Sequence, residues 1–303
     1  MKIGISIPTY NRTEHLESLL ASIGDSFFLY VSDNAGLTEK KLFEKFSDIH
    51  VISSDVVLPM YENWNRSIEI NDCDYIAMTS DDDLYVEGAL GIVNKYLDEY
   101  TPDVAIFGHF YIDEHNNIIG EYVPMEKVFL RPPEGFSEFK YDVSARTPSV
   151  FYKRSFLDKI GLLDCNFKVT AADSELIQRA LLLGSVLFVP EVVSKYRVWE
   201  SNTTYNNIAT SKWLEEIDIW TQKISKIGFE KTEFFTKKFS DNYSDEIYAR
   251  NLYAGLSNLL KRREYKGALE FKAAARWPSH ALAKTKLRIL LLLLKAKLKS
   301  YAS

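Results

Sequence analysis

The sequence predicts an α/β protein: a mainly parallel, Rossmann-like sheet flanked by helices, with a helical extension at the C-terminal end. Three observations predict it. Over the first ~90 residues, short β-branched apolar runs alternate with segments of helical period, the pattern of βαβ units. The polar loops "PTYNR", "SDNAG" and "SDDDL" each follow an apolar run. They would therefore line one rim of the sheet, the rim at which open α/β sheets bind ligands. Beyond Ser201 the chain turns to long, charged, amphipathic segments. That change sets a boundary near residue 205, between a domain over 1–205 and a helical region over 206–303.

In order, "KIGISIPTY" reads as a buried first strand ended by Pro8. "RTEHLESLLASI" carries Leu16, Leu19, Leu20 and Ile23 at helical spacing. A strand "FFLYVSD", a helix from Lys40 to Phe46, a strand "HVISS", a helix "MYENWNRSIEI" and a strand "DYIAMTSD" follow, and another helix should begin near Glu87. "TPDVAIFGHFYID" and "IIGEYVP" read as further strands, and residues 125–147 as a polar loop centred on "RPPEG". "PSVFYKRSFLDKIGLLD" gives a strand and a helix, "AADSELIQRALLLG" a helix with Asp173 in its first turn, and "SVLFVPEVVSKYRV" the last strands.

Asp81, Asp82 and Asp83 stand side by side where an apolar strand ends. A solvated turn that caps the next helix is one reading. The company of two other polar strand-end loops favours a second. Mg²⁺ or Mn²⁺ takes one or two protein carboxylates and completes its shell with water and substrate phosphates. Asp81 and Asp83, at i and i+2, can turn toward one point and so suit a diphosphate-bound cation, with Asp82 contacting a ribose or sugar.

Composition excludes several classes. With Lys+Arg 37 against Asp+Glu 42, the net charge of -5 argues against a dedicated nucleic-acid binder. Cys73 and Cys165 fit free thiols in a reducing compartment better than a disulfide framework or a zinc site. "MKIGISIPTYNR" lacks the long apolar stretch and cleavage site of a secretory signal, so a cytoplasmic protein is expected.

Six stretches carry a resemblance: "SIPTYNR" at 6–12, "VSDNAG" at 31–36, "YENWNRSIE" at 61–69, "SDDDLYVEGAL" at 80–90, "SVFYKRSFLDKIGLLD" at 149–164 and "ADSELIQRALLLG" at 172–184. In this order the chain resembles the family 2 glycosyltransferases, which have a GT-A fold. The resemblance implies metal-dependent transfer of a sugar from a nucleotide diphosphate sugar to a hydroxyl of a lipid-linked glycan. It also implies a place in cell-surface polysaccharide or lipopolysaccharide synthesis, on the inner face of the cell membrane, and the anomeric centre inverts if Asp173 is the base.

By the same resemblance Pro8, Thr9, Tyr10 and Arg12 would embrace the nucleotide, and Asp33 would accept a hydrogen bond from the base or ribose. An Asx-turn before Asn34 and Gly36 is the alternative for Asp33. Asn65 would close the nucleotide pocket, or serve as a structural amide beside a core Trp64. Asp173 matches the catalytic base. The commoner family pattern has Glu-Asp where this chain has Ala172-Asp173, and a helix-capping aspartate is the alternative. Glu175 should point elsewhere on the helix. Trp199 stands where many relatives carry a histidine, so no metal contact is expected there. Tyr196 and Arg197 would line the diphosphate or acceptor side, unless Arg197 forms a structural salt bridge.

The apolar run Ile289 to Leu294 falls far short of the ~20 residues of a membrane span. Lys284, Lys286, Arg288, Lys295, Lys297 and Lys299, with no acid among them, suggest a helix lying on anionic lipid. Packing on its own domain or on a second copy of the chain is the other reading. Two further functions stay open. A sugar nucleotidyltransferase would share the sheet and the metal but should carry a glycine-rich phosphate loop, and "PTYNRTEH" has no glycine. A non-catalytic glycan-binding scaffold at the membrane would show no donor hydrolysis.

Overall fold

The computed structural model describes residues 1–24, 27–199 and 203–301. Strand and helix alternate as expected through β1 (Ile3–Thr9), α1 (Thr13–Ile23), β2 (Phe28–Asp33), α2 (Lys40–Phe43), β3 (Ile49–Ser53), α3 (Met60–Glu69) and β4 (Tyr75–Met78). These four strands pair in the order β3-β2-β1-β4, all parallel. Every residue of β1 is buried, as befits a central parallel strand covered on both faces.

Gly4 in β1 permits a close approach: a Cβ there would overlap the side chain of buried Asn71. Asn71 cannot simply swing away, because its Nδ2 donates to Ser6 Oγ at 3.0 Å and its Oδ1 accepts from the Cys73 N–H at 3.2 Å. Gly4→Ala should therefore destabilise the protein by ~1–3 kcal/mol, the usual cost of overpacking, read as a lower midpoint in chemical denaturation.

Next come β5 (Leu84–Tyr85), α4 (Ala89–Tyr100), β6 (Val104–Ile112), β7 (Ile118–Tyr122), β8 (Val128–Leu130), β9 (Val150–Lys153), α5 (Arg154–Ile160), α6 (Ala172–Leu183) and β10 (Val186–Arg197). β9 enters antiparallel between β4 and β6, while β10 runs parallel to β6 and antiparallel to β5 and β8. The last strands expected from the sequence are one long strand, whose register against β6 shifts between Phe188 and Val192. Pro190 lies within that shift and has no N–H to give the ladder.

Residues 125–147 are not a plain polar loop. They contain β8 and a 3₁₀ turn, Glu134–Phe139, that buries Phe136 and Phe139. Three residues per turn put both rings on one side. Phe139 meets Tyr122 and Phe188 at centroid distances of 5.9 and 5.6 Å.

The chain divides into two compact units. One comprises Met1–Phe139, Val143–Lys168 and Leu176–Val198; the other comprises Lys140–Asp142, Val169–Glu175 and Trp199–Ser303. The second contains α7 (Thr203–Asn207), α8 (Ser211–Lys231), α9 (Lys237–Lys261), α10 (Tyr265–Ala274) and α11 (Ala283–Ser300). Thr210 and Thr236 cap α8 and α9 by accepting the backbone N–H of Trp213 and Phe239. Trp213, Ile217, Trp220, Tyr243, Ile247 and Leu252 are buried among these helices.

Candidate active site

The aspartate triplet follows β4 and is buried, not solvated: Asp81, Asp82 and Asp83 are exposed by 4%, 9% and 1%. It caps no helix either, since β5 intervenes and the N-cap of α4 is Gly88, which makes no side-chain cap. The end of β1 and the turn after it supply its partners. Thr9 Oγ1 donates to Asp81 Oδ2 at 2.8 Å, and Arg12 Nη1 reaches Asp81 Oδ1 at 3.4 Å and Asp82 Oδ2 at 3.0 Å. Repulsion within the triplet is thus already eased by Arg12, whose side chain is 46% exposed.

Burial and the neighbouring Asp82 charge push the Asp81 carboxyl up to about 6, against the pull of Arg12, the Thr9 hydroxyl and the Tyr10 backbone. Asp83 is also raised well above the ordinary carboxyl value, by complete burial first and by Asp82 second. Its Oδ1 accepts the Arg197 N–H at 2.9 Å, whereas Oδ2 is buried with no hydrogen-bond partner. An orphaned buried carboxylate oxygen is costly, and a missing ligand is one explanation for it.

Arg197 braces this loop. Its Nε donates to the Asp82 carbonyl at 2.7 Å, Nη1 to the Asp113 carbonyl at 2.7 Å and Nη2 to Asn116 Oδ1 at 2.6 Å. It therefore ties the triplet to the turn between β6 and β7. Half-buried Tyr196 lies under the Arg146 guanidinium, 5.4 Å from its ring centroid, beside Tyr111.

The other residues expected at the rim divide. Pro8 is buried in β1, and Tyr10 is exposed beyond it. Asp33 is buried, and its two oxygens accept the N–H groups of Leu37 and Thr38 at 3.3 and 3.1 Å, the work of a turn-holding aspartate. Asn65 is committed away from the strand ends: its amide donates to the Leu163 carbonyl at 2.8 Å and accepts from the Leu163 N–H at 3.1 Å. The amide at the strand ends is Asn63, which the sequence reading missed. Its Nδ2 donates to the Thr9 and Ser32 carbonyls at 3.4 and 3.2 Å, and its Oδ1 accepts from Ser32 Oγ at 2.7 Å. Trp64 is only half-buried.

Asp173 belongs to the second compact unit and is exposed. Ala171, held at φ 73°, gives its carbonyl to the Glu175 N–H at 2.7 Å and so occupies the capping position without a capping side chain. Asp173 Oδ1 accepts the Ser174 N–H at 2.7 Å. Around it the backbone is anchored, because buried Glu216 accepts the N–H groups of Val169 and Thr170 at 3.0 and 2.9 Å. Glu175 is buried against Lys223 Nζ at 3.3 Å, pointing elsewhere as the helical period requires.

Among the described residues no three His, Cys, Asp or Glu side chains form a group that could hold a metal by themselves. Asp81 and Asp83 fit the sparser requirement of Mg²⁺ or Mn²⁺, one or two carboxylates with the remaining ligands from water and phosphate. The unpartnered Asp83 Oδ2 is the atom that best fits.

A sequence profile described as "Glycosyl transferase family 2" matches residues 5–161. None of the curated proteins matches the sequence. Among solved structures, a 1-349 fragment of TarS from S. aureus superposes with a TM-score of 0.63 at 13% identity, over 100% of this chain and 91% of that one. The same fragment in complex with UDP-GlcNAc gives a TM-score of 0.66 at 14% identity, over 100% and 92%. TarS itself gives 0.63 at 18% identity, with 54% of its length covered.

Proposed function

The chain belongs to glycosyl transferase family 2 and has the GT-A fold of a glycosyltransferase, and from that premise we propose a specific reaction. A sugar passes from a nucleotide diphosphate sugar to a hydroxyl of a glycan, the glycan being lipid-linked and part of a cell-surface polysaccharide. The acceptor oxygen forms the new bond to the anomeric carbon, and the bond from that carbon to the diphosphate oxygen breaks with its electron pair. The acceptor proton goes to the Asp173 carboxylate, so the anomeric centre inverts in one displacement.

The observation that carries this reading is the buried carboxylate pair at the end of β4, with one oxygen of Asp83 left without a partner. Asp81 and Asp83 would hold Mg²⁺ or Mn²⁺. When bound, that ion neutralises charge on the departing diphosphate. Thr9 and Arg12 orient Asp81, and the half-exposed Arg12 side chain stands at the same rim, where it would meet phosphate oxygens. Exposure of Asp173 supports its role, since a base must reach an acceptor hydroxyl from solvent.

A thermal-shift panel of nucleoside diphosphates and their sugars, each with Mn²⁺ and with chelator, tests the donor. A specific ligand at ~100 times its Kd stabilises by about 2.7 kcal/mol through mass action. One nucleotide should raise the melting temperature in Mn²⁺ and lose most of that effect on chelation. If none does, the scaffold reading takes its place.

A further inference from the structure

α11 has two faces. Ile289 and Ala296, seven residues apart, are buried where the helix packs on α9 and α10. Leu287, Leu290, Leu291, Leu294 and Leu298 are instead exposed by 50–64%. At ~100° per residue these five fall in one stripe about 100° wide, opposite the packed edge. Tyr301, 81% exposed, continues it. The same angles put Lys284, Arg288, Lys295 and Lys299 along one flank of the stripe and Lys286 and Lys297 along the other. No acid lies between Ala283 and Tyr301.

We infer that this stripe docks the protein onto an anionic lipid surface, with α11 lying in the plane of the interface. The leucines enter the boundary between headgroup and acyl chain, while lysine stems cover apolar surface and keep their charges at the headgroups. Charge selects this occupant over a second copy of the chain. Face-to-face pairing of two such helices would bring six cations against six with no acid in either helix to offset them. No described helix is long and apolar enough to cross a membrane. A shallow groove of about 480 Å³, lined by Leu269, Lys272, Ala273, Leu293, Leu294 and Lys297, extends the apolar surface toward α10.

The full chain should partition to phosphatidylcholine vesicles containing phosphatidylglycerol at least ~10-fold more strongly than to phosphatidylcholine alone, with the preference falling as salt rises. The double variant Leu291→Glu, Leu294→Glu changes two exposed residues and should lose the binding with an unchanged melting temperature. Lys295→Glu with Lys299→Glu should lose the preference for phosphatidylglycerol. Donor turnover on a soluble acceptor should be the same in all of them, so lipid binding and the transferase reading are judged separately. Equal partitioning of the leucine variant and wild type would overturn the inference. So would a wild-type chain that ignores phosphatidylglycerol, or a wild-type dimer that the leucine variant splits.

Discussion

Asp83→Asn is expected to abolish Mn²⁺-dependent binding of the nucleoside diphosphate while raising the melting temperature of the ligand-free protein. Both effects have one source. The wild-type carboxylate is completely buried, lies beside Asp82 and Asp81, and has an oxygen with no partner. Asparagine keeps the oxygen that accepts the Arg197 N–H and removes the charge. Loss of a cation-holding carboxylate should lower turnover by ~10² or more, since the charge stabilisation at stake is several kcal/mol.

The sign of the stability effect follows from linkage. The folded-state pKa of Asp83 lies well above its unfolded value, so the folded protein holds this proton after the unfolded chain has released it. Below the unfolded pKa of about 3.9 the two states are protonated alike and Asp83 has no effect. As pH rises from there the charged form costs stability, and the cost grows until the folded pKa is passed. Asp81, raised to about 6, adds to the same trend between roughly pH 4 and 6. The Asn variant should therefore melt at a higher temperature than wild type at neutral pH and show no gain near pH 4. Calorimetric titration with and without Mn²⁺, together with melting curves across pH, reads both. Unchanged Mn²⁺-dependent affinity would remove Asp83 from the ligand site, and a lower melting temperature at neutral pH would make it a structural bracket.

What the sequence reveals of such a site depends on how local the cause is. Alternation of strand and helix was legible because periods of 2 and 3.6 are written in consecutive residues. The buried triplet was legible because it shared a rim with two other polar loops. Its brace was not: Arg197 reaches the Asp82 carbonyl across 115 positions, a contact fixed by the pairing of β10 with β6. Between Asn63 and Asn65 the helical period did hold the answer. Two residues apart on α3 they face nearly opposite ways, and Asn63 shares its side with buried Ser67. The basic tail gave two readings, lipid contact or packing, and α11 packs one edge while exposing the other.

Asp173→Asn is expected to cut transfer to acceptor at least ~100-fold with donor affinity and melting temperature near wild type, because loss of a general base costs ~10² to 10⁴ in rate. The structure makes this substitution clean. Asp173 sits in the second position of α6, after Ala171 at the cap, and its Oδ1 accepts the Ser174 N–H. An asparagine oxygen can accept that bond as well, so the helix start keeps its satisfied donor. The side chain is exposed, so no buried partner is orphaned by the change. The backbone around it is held independently, by Glu216 on Val169 and Thr170 and by Glu175 against Lys223. What Asn cannot do is take a proton. Slow hydrolysis of the donor by water should persist, because Asp81 and Asp83, proposed to hold the cation at the diphosphate, are untouched. Transfer and hydrolysis should be measured side by side in the variant. Transfer within a few-fold of wild type would exclude Asp173 as the base and reopen the question of a retaining mechanism; loss of donor affinity along with transfer would make Asp173 part of the binding surface instead.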